Sequence, residues 1–185
     1  MAGTFRCAFT PPGTGSVSLR PVLHAVLTAV LTAVSELRPP TLVQRVGLRY
    51  VDRFVDRSVR EAQGWNGRID ERLLGPVLHP IIGQVTQQSQ QQVELRLGES
   101  EGALLRHGAF VDPAAGGATS YVVDIDVFDA EPRPFDADEL ARRADNLHRT
   151  AASLFQVSLT PEYLRSLQAD PEASTSTRDG EGGSE

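Results

Sequence analysis

From Arg45 to Phe54 the chain alternates. Val46, Leu48, Tyr50 and Phe54 fall on one side, and Arg45, Gly47, Arg49 and Arg53 on the other. A period of two is that of a half-buried strand. The β-branched and aromatic content supports strand at least through Phe54, although Val-Asp-Arg recurs at a helix-like spacing beyond it. The pattern predicts one strand over roughly Leu42 to Phe54. Such a strand wants a core beneath its apolar face and an acidic partner beside its arginines. A candidate partner is Tyr121 to Phe128, where Asp124 and Asp126 share a face.

The remaining alternations predict an antiparallel meander over 84–128. Gln84 to Leu97 has one wholly polar face, with Val85, Val93, Leu95 and Leu97 on the other. Gly98-Glu-Ser-Glu-Gly102 reads as a hairpin connection and Ala103 to Val111 as the returning strand. Asp112 to Ala118 is a second turn, leading to the strand Tyr121 to Phe128. A short strand is expected from Thr4 to Phe9, and Gly64-Trp-Asn-Gly67 marks a loop.

Helical periodicity appears twice at length. Leu23, Val26, Leu27, Val30, Leu31, Val34 and Leu37 recur at helical spacing, with His24, Thr28, Thr32 and Ser35 opposite. Ser18 is the cap, Pro21 suits the first turn, and Pro39-Pro40 ends the helix. A helix lying on a sheet explains the pattern. Leu140, Ala144, Leu147, Ala151, Leu154 and Phe155 form a second stripe, with Asp136 and Glu139 placed as a capping box. A short helix is expected near Ile69 to Leu78, broken by Gly75-Pro76. A last one runs to about Leu167, with Thr160 as cap and Pro161 in its first position. The fold class is α+β: a mostly antiparallel sheet of about four or five strands with the two long helices packed on one face.

Composition narrows the picture. The 185 residues fit one domain, expected over 1–168, with a disordered acidic tail over 169–185. The net charge is -6, of which -4 falls after Ala169. There is no lysine, so every basic side chain is an arginine, a residue suited to bidentate pairing with carboxylates. Gln44 to Arg60 holds five Arg against two Asp. Binding of nucleic acid there would use Arg45, Arg49, Arg53, Arg57 and Arg60, with Tyr50 or Trp65 stacking. The acidic overall balance disfavours it. No apolar run reaches the ~20 residues of a membrane span. Cys7 is the single cysteine, which excludes an intramolecular disulfide. A cytoplasmic location is the expectation.

Asp124 and Asp126 carry the most chemistry. Two strand rises put them about 6.5–7 Å apart at the backbone. Pairing with Arg45, Arg49 and Arg53 across the sheet is the preferred role. Metal binding would need further oxygen ligands, and paired acid–base work a substrate cleft. His24, His79, His107 and His148 have no ligand set around them. His107 reads as a half-buried sheet histidine, and His148 as a helix-surface residue three places after Asp145. No nucleophile elbow or phosphate loop is present. The catalytic residues are unknown, and no cofactor is expected.

Three motifs occur in a fixed order: Gly47-Leu48-Arg49-Tyr50 running to Asp52-Arg53, Asp124-Ile125-Asp126, and Leu147-His148 through Leu154-Phe155. Over residues 20–168 this order resembles a sporadically distributed family of uncharacterised bacterial proteins. That resemblance implies no activity and no catalytic residue. Family members carry further strands before the first helix, so it also implies a shortened N-terminus and an exposed sheet edge. The expected function is a non-enzymatic binding or interaction module, self-associating or holding a protein partner through that edge. The alternative is a metal-dependent enzyme acting on a phosphorylated or nucleic-acid substrate through Asp124 and Asp126.

Overall fold

The computed structural model describes residues 19–37 and 40–168. The strand expected over Thr4 to Phe9, Cys7 within it, the Ser18 cap and the tail from residue 169 lie outside the described residues. The alternation at 42–54 gives two strands, β1 (Leu42–Val43) and β2 (Val46–Phe54). They are followed by β3 (Gln91–Arg96), β4 (Glu101–Asp112), β5 (Ala118–Asp129) and β6 (Arg133–Pro134). The main sheet has four antiparallel strands in the order β2-β5-β4-β3, and β1 pairs with β6 in a separate two-stranded ribbon. The meander β3-β4-β5 is as expected, and β2 joins it alongside β5.

The strand expected over Gln84 to Leu97 is shorter than its alternation suggests. The described helices are α1 (Leu19–Leu37), α2 (Glu71–Leu74), α3 (Ile82–Val85), α4 (Ala137–Ser158) and α5 (Pro161–Gln168). The turn α3 takes the start of the expected strand. His79 Nδ1 accepts the backbone N–H groups of Ile81 and Ile82 at 3.2 Å each, and the Thr86 hydroxyl donates to the Ile82 carbonyl. These local bonds satisfy a backbone whose glutamines have no core to enter. The helix expected near Ile69 to Leu78 is α2 followed by a tighter turn over Gly75–Leu78.

The core forms on one face of the sheet. Val123, Ile125 and Val127 of β5, with Ala103, Leu105 and Ala109 of β4, are buried there. The α4 stripe, from Leu140 through Ala151, lies across β2 and β5. The Asp136 cap is as the sequence predicts, its carboxylate accepting from the Glu139 N–H at 2.9 Å, whereas the Glu139 carboxylate turns to Arg142 and Arg143 instead of closing a capping box. Trp65 closes the end of the core, fully buried against Phe54, Tyr121 and Tyr163, and donates its indole N–H to the Thr119 carbonyl at 3.0 Å. The apolar stripe of α1 packs chiefly beside α4, leaving Val26, Val30 and Leu37 exposed. No helix of the described residues is long and apolar enough to cross a membrane.

One close approach fixes how β3 enters the sheet. A Cβ added at Gly108 of β4 would overlap the Ser89 carbonyl oxygen, a backbone atom. Only glycine admits that crossing, and the Ser89 N–H then bonds the Ala109 carbonyl at 2.9 Å. Gly108→Ala is therefore expected to destabilise by about 1–3 kcal/mol, the usual range for overpacking. Urea unfolding of the two proteins measures it, and equal midpoints would contradict the close approach.

Candidate functional site

The strand period places Arg49 and Arg53 of β2 on the helix-free face of the sheet, with Asp124 and Asp126 of β5 beside them. Arg45, just before β2, joins them. The pairings run diagonally. Arg49 stands opposite Asp126 in register but bonds Asp124, Nε to Oδ1 at 2.7 Å and Nη2 to Oδ2 at 2.6 Å. Arg45 reaches Asp126 at 3.4 Å, and Arg106 of β4 adds a second guanidinium to Asp124 at 3.5 Å. Strand twist brings such diagonal neighbours together. Arg53 faces Val122 and finds no carboxylate on β5. It pairs instead with Asp112 at the end of β4. Ser120 donates to the same carboxylate at 2.7 Å, and the Ala114 N–H does so at 3.0 Å. The Ser120 bond and Arg53 together hold the Asp112 carboxyl below its ordinary range despite burial.

The five predicted side chains thus lie in one ladder, with Asp112 and Arg106 as members that strand alternation alone does not single out. The carboxylates are sheltered and the arginines half-exposed: Asp124 retains 9 % of its side-chain surface and Arg49 57 %. Phe128 continues the ladder. Its ring lies over Gly102, where a Cβ would come within 2.7 Å of it, and the Arg45 guanidinium sits 4.4 Å above the ring centre. Arg49 engages both oxygens of Asp124, so that carboxylate is already compensated. Among the described residues no group of three or more His, Cys, Asp or Glu side chains is placed to hold a metal ion.

The remaining titratable groups form structural pairs. Tyr50 bonds His148 Nδ1 at 2.8 Å between β2 and α4. Burial, and then the nearby Asp52 charge, push the Tyr50 phenol up to about 12, so it stays protonated at neutral pH. Trp65 is fully buried and Tyr50 half-buried, so the expected stacking residues for bases are both committed to the interior. His107 is fully buried rather than half-buried: Nδ1 meets the Tyr121 hydroxyl at 2.9 Å and Nε2 has no partner among the described residues.

A second charge cluster escapes the sequence reading. Asp129, at the end of β5, is 1 % exposed and meets Arg133 at 2.7 Å and Arg143 of α4 at 3.2 Å. Arg143 also pairs with Glu139 and with Glu101 of β4. Burial opposes ionisation of Asp129, but the Glu131 N–H, Ser100 and the two guanidinium groups outweigh it and lower its pKa. The spacing of four between Asp129 and Arg133 is the available signal, masked because it crosses from the end of β5 into the separate short strand β6.

The outer strand β3 is the other notable surface. Its neighbour on one side is β4, and no strand lies beyond it among the described residues. Ser89 and Leu97 donate to β4 carbonyls. In an antiparallel ladder the bonding direction alternates. Gln92, Glu94 and Arg96 therefore point their backbone N–H and C=O groups outward. Val93 and Leu97 remain 38 % and 43 % exposed beside them. No protein-family model, curated protein or solved structure matches the chain.

Two measurements test this arrangement. Arg49→Ala leaves sheltered Asp124 with Arg106 alone and is expected to lower stability by about 1–3 kcal/mol, the range for an undercompensated buried polar group. Unchanged urea midpoints would show the ladder to be energetically idle. His107 titrates below its ordinary value because burial disfavours its cation. Its contribution to stability is complete above the unfolded value near pH 6.5 and declines as pH falls from there. The parent should lose stability as pH falls below about 6.5, at no more than about 1.4 kcal/mol per pH unit. A His107→Gln variant should show a flatter profile in that window.

Proposed function

We propose that the chain is a non-enzymatic interaction module that takes a protein partner by strand addition at β3. The observation that carries this reading is the outer edge of β3. It combines outward backbone groups with exposed Val93 and Leu97. An added strand satisfies the former and covers the latter. Natural edges are usually shortened, covered or charged to prevent such pairing. Here the edge is six residues long and free of Pro, and its two charges, Glu94 and Arg96, are of opposite sign.

The arginine ladder supports the same reading by what it leaves over. Its carboxylates are engaged by arginines, so the face has no strong excess of either charge for a polyanion or a cation. The Tyr50 and His107 pairs are likewise internal, and neither opens into a substrate cleft. The edge of β3 is left accessible beside these internal pairs.

Glu94→Pro tests the proposal. Proline at this position removes an N–H that points away from β4, so the meander keeps its bonds. The tagged parent, expressed in its native host, is expected to recover a protein bound through β3, and the variant to lose it while its urea midpoint stays close to the parent's. Recovery unaffected by Glu94→Pro, or a strict monomer with no edge-dependent partner, would overturn the proposal.

A further inference from the structure

We infer that the strand added at β3 is β3 of a second copy, in antiparallel register centred on Leu95. This inference rests on the strand-addition reading and names its partner. Two side chains flank Leu95 on the helix-free face. These, Glu94 and Arg96, are exposed, and neither forms an ion pair among the described residues. The other arginines of that face, Arg45, Arg49, Arg53 and Arg106, each have a carboxylate. Arg96 is the exception, and it sits on the open edge.

Two-fold symmetry makes the edge its own complement. In an antiparallel pair centred on Leu95, Glu94 of one copy stands opposite Arg96 of the other, and Arg96 opposite Glu94. Both ion pairs form at once, on directly opposed positions where unlike charges attract. The same two residues carry the outward backbone groups. They therefore supply the hydrogen-bonded pairs of the new ladder, about four bonds in all. On the opposite face, Val93 meets Leu97 of the second copy twice, and Leu95 meets its own counterpart. These are the closer, non-hydrogen-bonded pairs, and they cover the two exposed apolar residues of the edge.

Neighbouring registers lack this match. Centring on Glu94 sets glutamate against glutamate. Centring on Val93 sets Glu94 against Gln92 and leaves Arg96 facing Gln90. The charge pattern thus selects one register, as specificity in self-pairing requires. The product is a continuous sheet made from two four-stranded ones, with both core faces on the same side.

Charge exchange on the purified full chain tests the register. Sedimentation velocity should show the parent as a dimer. Glu94→Arg and Arg96→Glu should each weaken it by at least about tenfold, because each sets like charges opposite in both pairs. Mixing the two variants should restore a heterodimer with one chain of each, since both edge arginines of the first variant then face both edge glutamates of the second. The double variant E94R/R96E should again form a homodimer. A parent that stays monomeric overturns self-pairing, as does a dimer indifferent to both single variants or a mixture that stays monomeric. A monomeric parent that still recovers another protein in a Glu94→Pro-sensitive way overturns the inference alone. Loss of that recovery as well removes the strand-addition reading with it.

Discussion

The two layers are joined at a buried carboxylate. Asp129 closes β5, and its two arginines come from the short strand β6 before α4 and from within α4 itself. A charge with 1 % of its surface exposed is tolerable only when it is paired and bonded on all sides. Meeting that condition fixes where the chain must turn and how α4 must lie. Arg133 also belongs to the strand that pairs with β1, so the same carboxylate governs the approach of the chain to β2. The seating of α4 on the sheet therefore draws on ion pairs at one corner as well as on its apolar stripe.

The helix-free face solves a different problem. A sheet with one covered face must keep the other from acting as a second hydrophobic surface. Here arginine side chains lie across it. Arg45 covers Phe128, which covers Gly102, and Arg49 and Arg106 cover Asp124. Long guanidinium stems shield apolar surface while their heads stay in water. Diagonal pairing has a further effect: a slip of β2 by one residue would turn Arg49 and Arg53 into the core and lift Tyr50 and Phe54 out of it. Register and charge reinforce one another.

Much of this is legible in the sequence because strand alternation is local. The arginines of β2 and the aspartates of β5 each announce their face by a period of two, and opposite charge suggests that the strands meet. The partner of Arg53 is not legible, since it depends on where β4 ends relative to β5, and nothing in either strand states that offset. The glutamine stretch misleads for a related reason. Its alternation is real, but with glutamine on both faces it gains little from burial, and local bonds to His79 and from Thr86 favour a turn at its start. Tyr50 and His148 lie 98 residues apart, a separation at which composition and spacing carry no information. Trp65 is expected in a loop and does occupy a turn, but its burial follows from tertiary packing alone.

The position of α1 has a consequence for how the molecule comes apart. Its backbone bonds are internal to the helix, and its main neighbour is α4, against which Leu27, Leu31 and Val34 are only half-buried. Separating it breaks no strand pairing and exposes little that water does not already reach. Free energies of local opening scale with such buried contacts. The cooperative boundary of the protein therefore runs between α1 and α4. On one side is a unit that unfolds as a whole with the sheet; on the other is a helix whose amides exchange on their own, faster clock.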